Sequence, residues 1–428
     1  MGTEKGNAAR LRQILGGSIG NLVEWYDWYA YSAAALYFAP IFFPHGDKTG
    51  QLLQAAVVFA VGFFARPVGA WLMGLYADRA GRRAALILSV ALMCLGSLTI
   101  AVTPSAASIG VWAAVILVCA RLVQGLALGG QYGASATYMS EVAGKTHRGF
   151  WSSFTYVTLI GGQLTALAVL IVLQFVLPAA DMKEWGWRIP FLVGAVLAVA
   201  AFWVQSKMEE SHSFAKQKAD GVEPAKTSDL LTQFPRATFT ILGLSAGGNL
   251  IFYVSTTYMQ KFLANSAGFS NDRATRINAA TLFIFMLAQP LMGYLSDRFG
   301  RKLMLGIAFG GLTIVTWPLM NGIPTTKSAV LVTTLIAGAL LIQSGYTSIS
   351  AVVKAELFPT HARGLGVSLP YAISAALFGG TAESVALWFK QQGMEFGFYI
   401  YVSVMLAISF LTVLSMRDTS RHSLIAED

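Results

Sequence analysis

GLYADRAGRR, residues 74–83, decides the fold because it occurs twice: GYLSDRFGRK stands at residues 293–302, 219 positions later. Both copies fit G-x-x-x-D-x-x-G-R-[RK], and both follow a long apolar run. A second echo lies further along. SEVAGKTHRG (140–149) answers AELFPTHARG (355–364), and each places Glu and Arg seven apart, Glu141 with Arg148 and Glu356 with Arg363. Between them, Gln124 and Gln343 keep the 219-residue offset. One loop of this kind is a positively charged turn. Two copies at matching places mark a duplicated chain.

What is duplicated follows from composition. The 428 residues are 55% hydrophobic and 12% charged, with mean hydropathy +0.59. Soluble domains carry about 25% charged residues. Runs of roughly 20 apolar residues cross a bilayer as helices. Twelve occur, near 14–43, 52–76, 84–103, 110–139, 151–177, 188–206, 237–263, 274–296, 303–322, 328–356, 365–390 and 396–416. Irregular backbone cannot face lipid, so these read as helices. The only long polar stretch, near 206–235, splits them six and six. Six spans, an even number, separate the copies, so the halves share one orientation. The expectation is an all-α membrane protein of twelve transmembrane helices in two pseudo-symmetric bundles, 1–206 and 236–428, joined by a cytoplasmic linker at 207–235.

The net charge of +9 reports topology rather than nucleic acid. With the N-terminus inside, twenty of the thirty Lys and Arg residues, Lys354 among them, fall in interior segments. That is the positive-inside pattern and predicts cytoplasmic termini. Cys94 and Cys119 read as apolar filler. The five histidines fall in loops or tails without clustered partners, so neither a metal nor another cofactor is expected. There is no P-loop for ATP hydrolysis and no nucleophile–base set for an enzyme. The first apolar segment is too long for a cleaved leader.

Four charges lie at mid-span: Glu24 and Asp27 in the first, Arg66 in the second, Arg121 in the fourth. A mid-bilayer Arg costs on the order of 2.5–3.5 kcal/mol, so such residues face a cavity and pair with something. One reading is a neutral network that locks the bundle. The other adds anion binding, since a guanidinium fork matches a carboxylate and two forks suit a dicarboxylate. In that reading the acids hold the arginines until substrate displaces one, which then takes a proton. Glu24 and Asp27 are three residues apart, about 60° around a helix. Tyr31 follows on the face of Glu24. Tyr156, Gln163, Asn249, Tyr253 and Gln343 are further polar groups at mid-depth that could reach a substrate or join helices, as are Gln289, Tyr346 and Tyr371. Glu383 reads as a gate near an outer helix end. The repeated loops read as a latch between two states. Gly74, Asp78, Gly81 and Arg82 form one copy with Glu141 and Arg148. Asp297, Arg301, Glu356 and Arg363 form the other. In each, an Asp caps orphan helix N–H groups and arginines pair with acids.

The paired loops resemble the signature of the major facilitator superfamily, and RLVQG (121–125) resembles its second motif. NLVEWYDWY, RPVGAWLMG and WGWRIPF resemble the metabolite:proton symporter family within it. The resemblance implies alternating access in a bacterial inner membrane. It implies a monomer that imports a small organic dicarboxylate, 2-oxoglutarate or a close relative, with protons. Citrate or another organic acid is the alternative cargo, and a receptor that binds without transport the alternative role. The family's GGEYG tract is GGQYG here, so Gln131 stands where a coupling Glu is expected. A Gln cannot give up that proton.

Overall fold

The computed structural model describes residues 2–80, 82–129, 147–206 and 227–424. The described residues form helices and no strand. Twelve long helices follow one another: α1 Gly2–Phe42, α2 Lys48–Ala80, α3 Arg82–Val102, α4 Trp112–Leu128, α5 Arg148–Val176 and α6 Ile189–Ser206. The second six are α7 Pro235–Asn265, α8 Asn271–Phe299, α9 Arg301–Gly322, α10 Ala329–Glu356, α11 Ala362–Gln391 and α12 Glu395–Ser415. Among the described residues nine spans are long and apolar enough to cross a membrane, and the apolar parts of α3 and α4 are shorter.

The side-chain distribution is that of a protein dissolved in lipid. Phe175, Val330, Ile314, Val102 and Trp71 are mostly exposed, on outward faces. A soluble surface seldom carries so much apolar area. The first helix of each half is the buried one. Residues 23–39 of α1 and 244–264 of α7 are enclosed without a break. Around them the halves meet along two seams, α5 against α8 and α2 against α11.

Sequence boundaries move in ways that matter. The GxxxD segments do not follow α2 and α8; they continue them to Ala80 and Phe299. The turn shrinks in the second copy to Gly300, whose φ of 95° suits a residue without Cβ. His361, read as a loop residue, lies in the first turn of a helix, Thr360–Ser374. Lys354, counted among the basic residues of the interior segments, is buried within α10. Three helices lose their regular ladder near mid-span. π turns interrupt α7 at Val254–Tyr258 and α11 at Ala375–Gly379, and α10 breaks between Thr347 and Ser350. Such interruptions re-aim side chains and gather at functional sites.

Candidate functional site

The mid-span charges converge. Arg121 is fully enclosed, and its Nη1 donates to Gln124 Oε1 at 2.8 Å. The other end of that amide, Gln124 Nε2, donates to Asp27 Oδ2 at 2.6 Å and lies 3.1 Å from Ser97 Oγ. Ser97 also donates to Asp27. One turn of α4 thus places a neutral amide between the cation and the acid. Gln124 and Arg121 reach each other because residues three apart share a helix face.

Both arginines rest on aromatic rings supplied by the WYDWYAY tract. The Arg121 guanidinium carbon is 3.8 Å from the Trp28 ring centre and 4.6 Å from that of Tyr31. The Arg66 carbon is 4.2 Å from Trp28 and 4.1 Å from Phe63. Two like charges therefore share one indole. The rings stabilise each cation, by up to about 2 kcal/mol when desolvated. They leave donors unused: Arg121 Nε and Nη2 and Arg66 Nε are buried without a hydrogen-bond partner among the described residues. The acids lie beside the arginines, and Asp27 reaches Arg121 through Gln124. Among the described residues no ion pair within 4.0 Å joins either arginine to Glu24 or Asp27, and between Arg121 and Asp27 the Gln124 amide stands instead.

A cleft opens beside Arg66 between the halves. Asn21, Glu24, Trp25, Arg66, Leu128 and Gly129 line one wall, and Ser368, Tyr371, Ala372 and Ala375 of α11 line the other. Tyr253 joins them from α7: its ring meets Phe63 edge-on at 5.1 Å and Trp25 at 6.3 Å, and its hydroxyl, beside Arg66, makes no hydrogen bond of normal geometry among the described residues. Both polar ends of Gln163 are likewise buried and unpartnered. The remaining expected residues are more engaged. Tyr31 donates to the Ala55 carbonyl at 3.0 Å, and Asn249 reaches Ser374 Oγ at 3.4 Å. Gln343 accepts from Ser255 at 2.7 Å while its Nε2 stays unpartnered. Tyr156 is buried edge-on to Phe252.

The two ends of the seam are closed differently. At the end carrying the termini, Asp297 Oδ1 and Oδ2 accept from the backbone N–H groups of Gly149 and Phe150, at 2.8 and 2.9 Å. This Asp caps a helix, as expected, but that of the other half. Arg301 holds the same carboxylate at 2.8 Å and lies 3.9 Å from Glu356. Gly149 and Gly293 make the approach possible, since a Cβ on either would run into the other's backbone. The chain after α12 straps this latch. Thr419 donates to Glu356 at 2.6 Å, Arg148 reaches Ser423 at 3.3 Å, and Arg363 reaches the Leu424 carbonyl at 3.4 Å. In the first copy Gly81 and Glu141 lie outside the described residues, as does Gln131; Gly74, Asp78 and Arg82 are described by backbone alone. At the far end, Glu383 pairs with Lys261 at 2.6 Å, and Ser32 of α1 bonds both, at 2.6 Å to Lys261 and 3.2 Å to Glu383.

Two repeated six-helix bundles that meet around a charged cleft define a membrane transport protein. The comparisons with known proteins give its kind. The family model for sugar and other transporters matches residues 14–229 and again 215–426. The chain belongs to that family. It is 50% identical to the alpha-ketoglutarate permease of Escherichia coli K12, over 97% of this chain and 95% of that one. It is 30% identical to a citrate-proton symporter of Klebsiella pneumoniae, over 87% and 84%. Among solved structures it resembles the proton:xylose symporter XylE, with a TM-score of 0.76 at 18% identity over 98% of both chains. That likeness is one of fold alone.

Proposed function

We propose that this chain imports 2-oxoglutarate, or a dicarboxylate close to it, together with protons, across a bacterial inner membrane. The observation that carries the proposal is the pair of guanidinium groups on Trp28, with buried donors left over. Like charges held this close, with unmet hydrogen-bonding capacity, are arranged for a multiply charged anion. The permease relative named for alpha-ketoglutarate supports the same substrate.

In this reading Arg66 and Arg121 bind carboxylate. Tyr253, Gln163 and Tyr156 complete the site, with Asn249, Tyr31 and Gln343 at its edge. Glu24 faces the cleft beside Arg66 and Asp27 is tied to Arg121 through Gln124. An anion arriving at either arginine changes the charge seen by the neighbouring acid, which takes up or releases a proton. Gln131 occupies the family's coupling position without a proton to give. Asp297, Arg301, Glu356, Arg363 and Arg148 latch one end, and Gly74, Asp78, Gly81, Arg82 and Glu141 form the matching latch. Lys261, Glu383 and Ser32 close the other end. Both termini face the cytoplasm, and one chain embedded in lipid forms the working unit.

The test is uptake of labelled 2-oxoglutarate by purified protein in liposomes under an imposed pH gradient, with a panel of organic acids as competitors. Accumulation driven by inward acidity, and inhibited best by dicarboxylates, is expected. Binding without net uptake would make the protein a receptor. Preferential inhibition by citrate would transfer the assignment to tricarboxylates.

A further inference from the structure

Both arginines of the proposed site belong to the first half. A substrate that touched only that half would not distinguish the open from the closed arrangement, and a ligand shifts an equilibrium only by its differential affinity for the two states. The second half must supply a contact of comparable strength.

We propose that Lys354 is that contact: the second-half cation that receives the substrate's distal carboxylate and draws the halves together. This rests on the dicarboxylate reading above. Lys354 lies on the segment Ser350–Glu356, beyond the break in α10, and is 1% exposed. Its Nζ donates to Ser350 Oγ at 2.8 Å and sits 4.1 Å from the Tyr371 ring centre, with Tyr346 at 5.9 Å. Tyr371 is itself a wall of the cleft, opposite Glu24 and Arg66. Lys354 is thus one side chain removed from the cleft, packed against a ring that lines it.

The other buried cations of this half stand at the ends of the seam, where their partners are structural. Lys261 has Glu383, Arg301 has Asp297, and Arg363 holds the main-chain carbonyls of Phe358 and Leu424. Among the described residues Lys354 is the buried cation of this half that packs against a wall of the cleft. The choice of Lys suits the task. A flexible four-carbon stem carries a compact charge that can leave an aromatic face and advance, whereas a guanidinium fork is a fixed receptor. Arg66 and Arg121 would hold one carboxylate in place, and Lys354 would swing past Tyr371 to the other.

The experiment compares 2-oxoglutarate with 2-oxobutyrate, a 2-oxo acid without the second carboxylate, on purified detergent-solubilised protein. In the unmodified protein 2-oxoglutarate should bind more tightly. A charge-assisted hydrogen bond stabilises by about 1.5–3 kcal/mol, roughly 10- to 100-fold in affinity. Lys354→Met should lose that factor for 2-oxoglutarate and leave 2-oxobutyrate within about 2-fold, compressing the preference between the two acids. Lys354→Arg should restore most of it. Lys354→Gln, which keeps a donor for Ser350, gives the same comparison should Lys354→Met fail to yield monodisperse protein. An unchanged preference in the neutral variants overturns the role of Lys354 and leaves the dicarboxylate reading intact. An unmodified protein that does not prefer 2-oxoglutarate overturns the dicarboxylate reading, and the role of Lys354 with it.

Discussion

Trp28 is the hinge of the site's electrostatics, because both guanidinium groups lean on its ring. An Arg→Lys exchange keeps the charge but loses the planar fork and the stacking. Arg66→Lys and Arg121→Lys are each expected to cut 2-oxoglutarate uptake at least 10-fold while inserting normally, on the order of 1.5–3 kcal/mol per lost charge-assisted bond. Normal uptake by either variant, with equal amounts in the membrane, would remove that arginine from the site. Gln131→Glu is expected to steepen the dependence of uptake on an imposed pH gradient, because it returns a proton-carrying group to the coupling position. Identical pH profiles would take position 131 out of the mechanism. The four charges at mid-span, Glu24, Asp27, Arg66 and Arg121, were legible in the sequence for one reason: a charge in an apolar helix is costly and therefore conspicuous. Gln131 was legible only as a departure from the family's GGEYG tract. Ser97 was not, since a serine among alanines and leucines looks ordinary, yet it donates to Asp27. Gln124 was visible as a repeat marker and as part of RLVQG beside Arg121; its place between Arg121 and Asp27 needed the packing of α1 on α4. Lys354 was counted with the interior basic residues because a Lys near a span's end fits the positive-inside pattern, and its burial was not foreseen.

At the helix termini the duplicated motif becomes a contact between halves. Sequence showed the repeat, the acids and the arginines, but not which helix end each Asp would cap. That depends on α5 and α8 crossing at Gly149 and Gly293, a long-range approach that no local pattern encodes. An Asp at a helix N-terminus satisfies orphan N–H groups and meets the positive end of the helix dipole. Asp297→Ala should therefore loosen this seam by about 1 kcal/mol, the usual value of a lost cap. With Arg301 left unpaired on Glu356 alone, the total should exceed that figure. Cysteines placed at the end of the seam carrying the termini should react faster with a membrane-permeant thiol reagent in that variant. Equal labelling rates would show that the cap does not hold the seam. Gly149→Val is the sterner test: its side chain has nowhere to go against Ser296 and the Gly293 carbonyl, so it should prevent this end from closing and abolish turnover without preventing membrane insertion.

Across the whole molecule the two seam ends use opposite chemistry, and this bears on how the protein moves. The latch at the termini is built from backbone N–H groups, an Asp and a strap of following chain, partly at the surface. The far end is a buried ion pair, Lys261 with Glu383, tied to the other half through a single hydroxyl, Ser32. A buried pair is costly to break from one side, about 3–5 kcal/mol, because the remaining charge is stranded, whereas replacing both partners is often neutral. Opening this end does not require breaking the pair, however. Lys261 and Glu383 both belong to the second half and travel together; the bonds between the halves that have to part are those to Ser32 and its neighbours along the seam, Asn265 to Thr49 and Gln174 to Thr275 among them. The stability of the fold and the ease of opening are thereby separated. Lys261→Met and Glu383→Gln should each lower the melting temperature markedly, and the double variant Lys261→Met/Glu383→Met should recover most of the loss. Ser32→Ala should leave the melting temperature nearly unchanged and raise the rate at which the far end becomes accessible, measured by labelling of a cysteine introduced near Thr49. If Ser32→Ala instead destabilises the fold as much as Lys261→Met does, the triad is one structural unit and this end of the seam opens elsewhere.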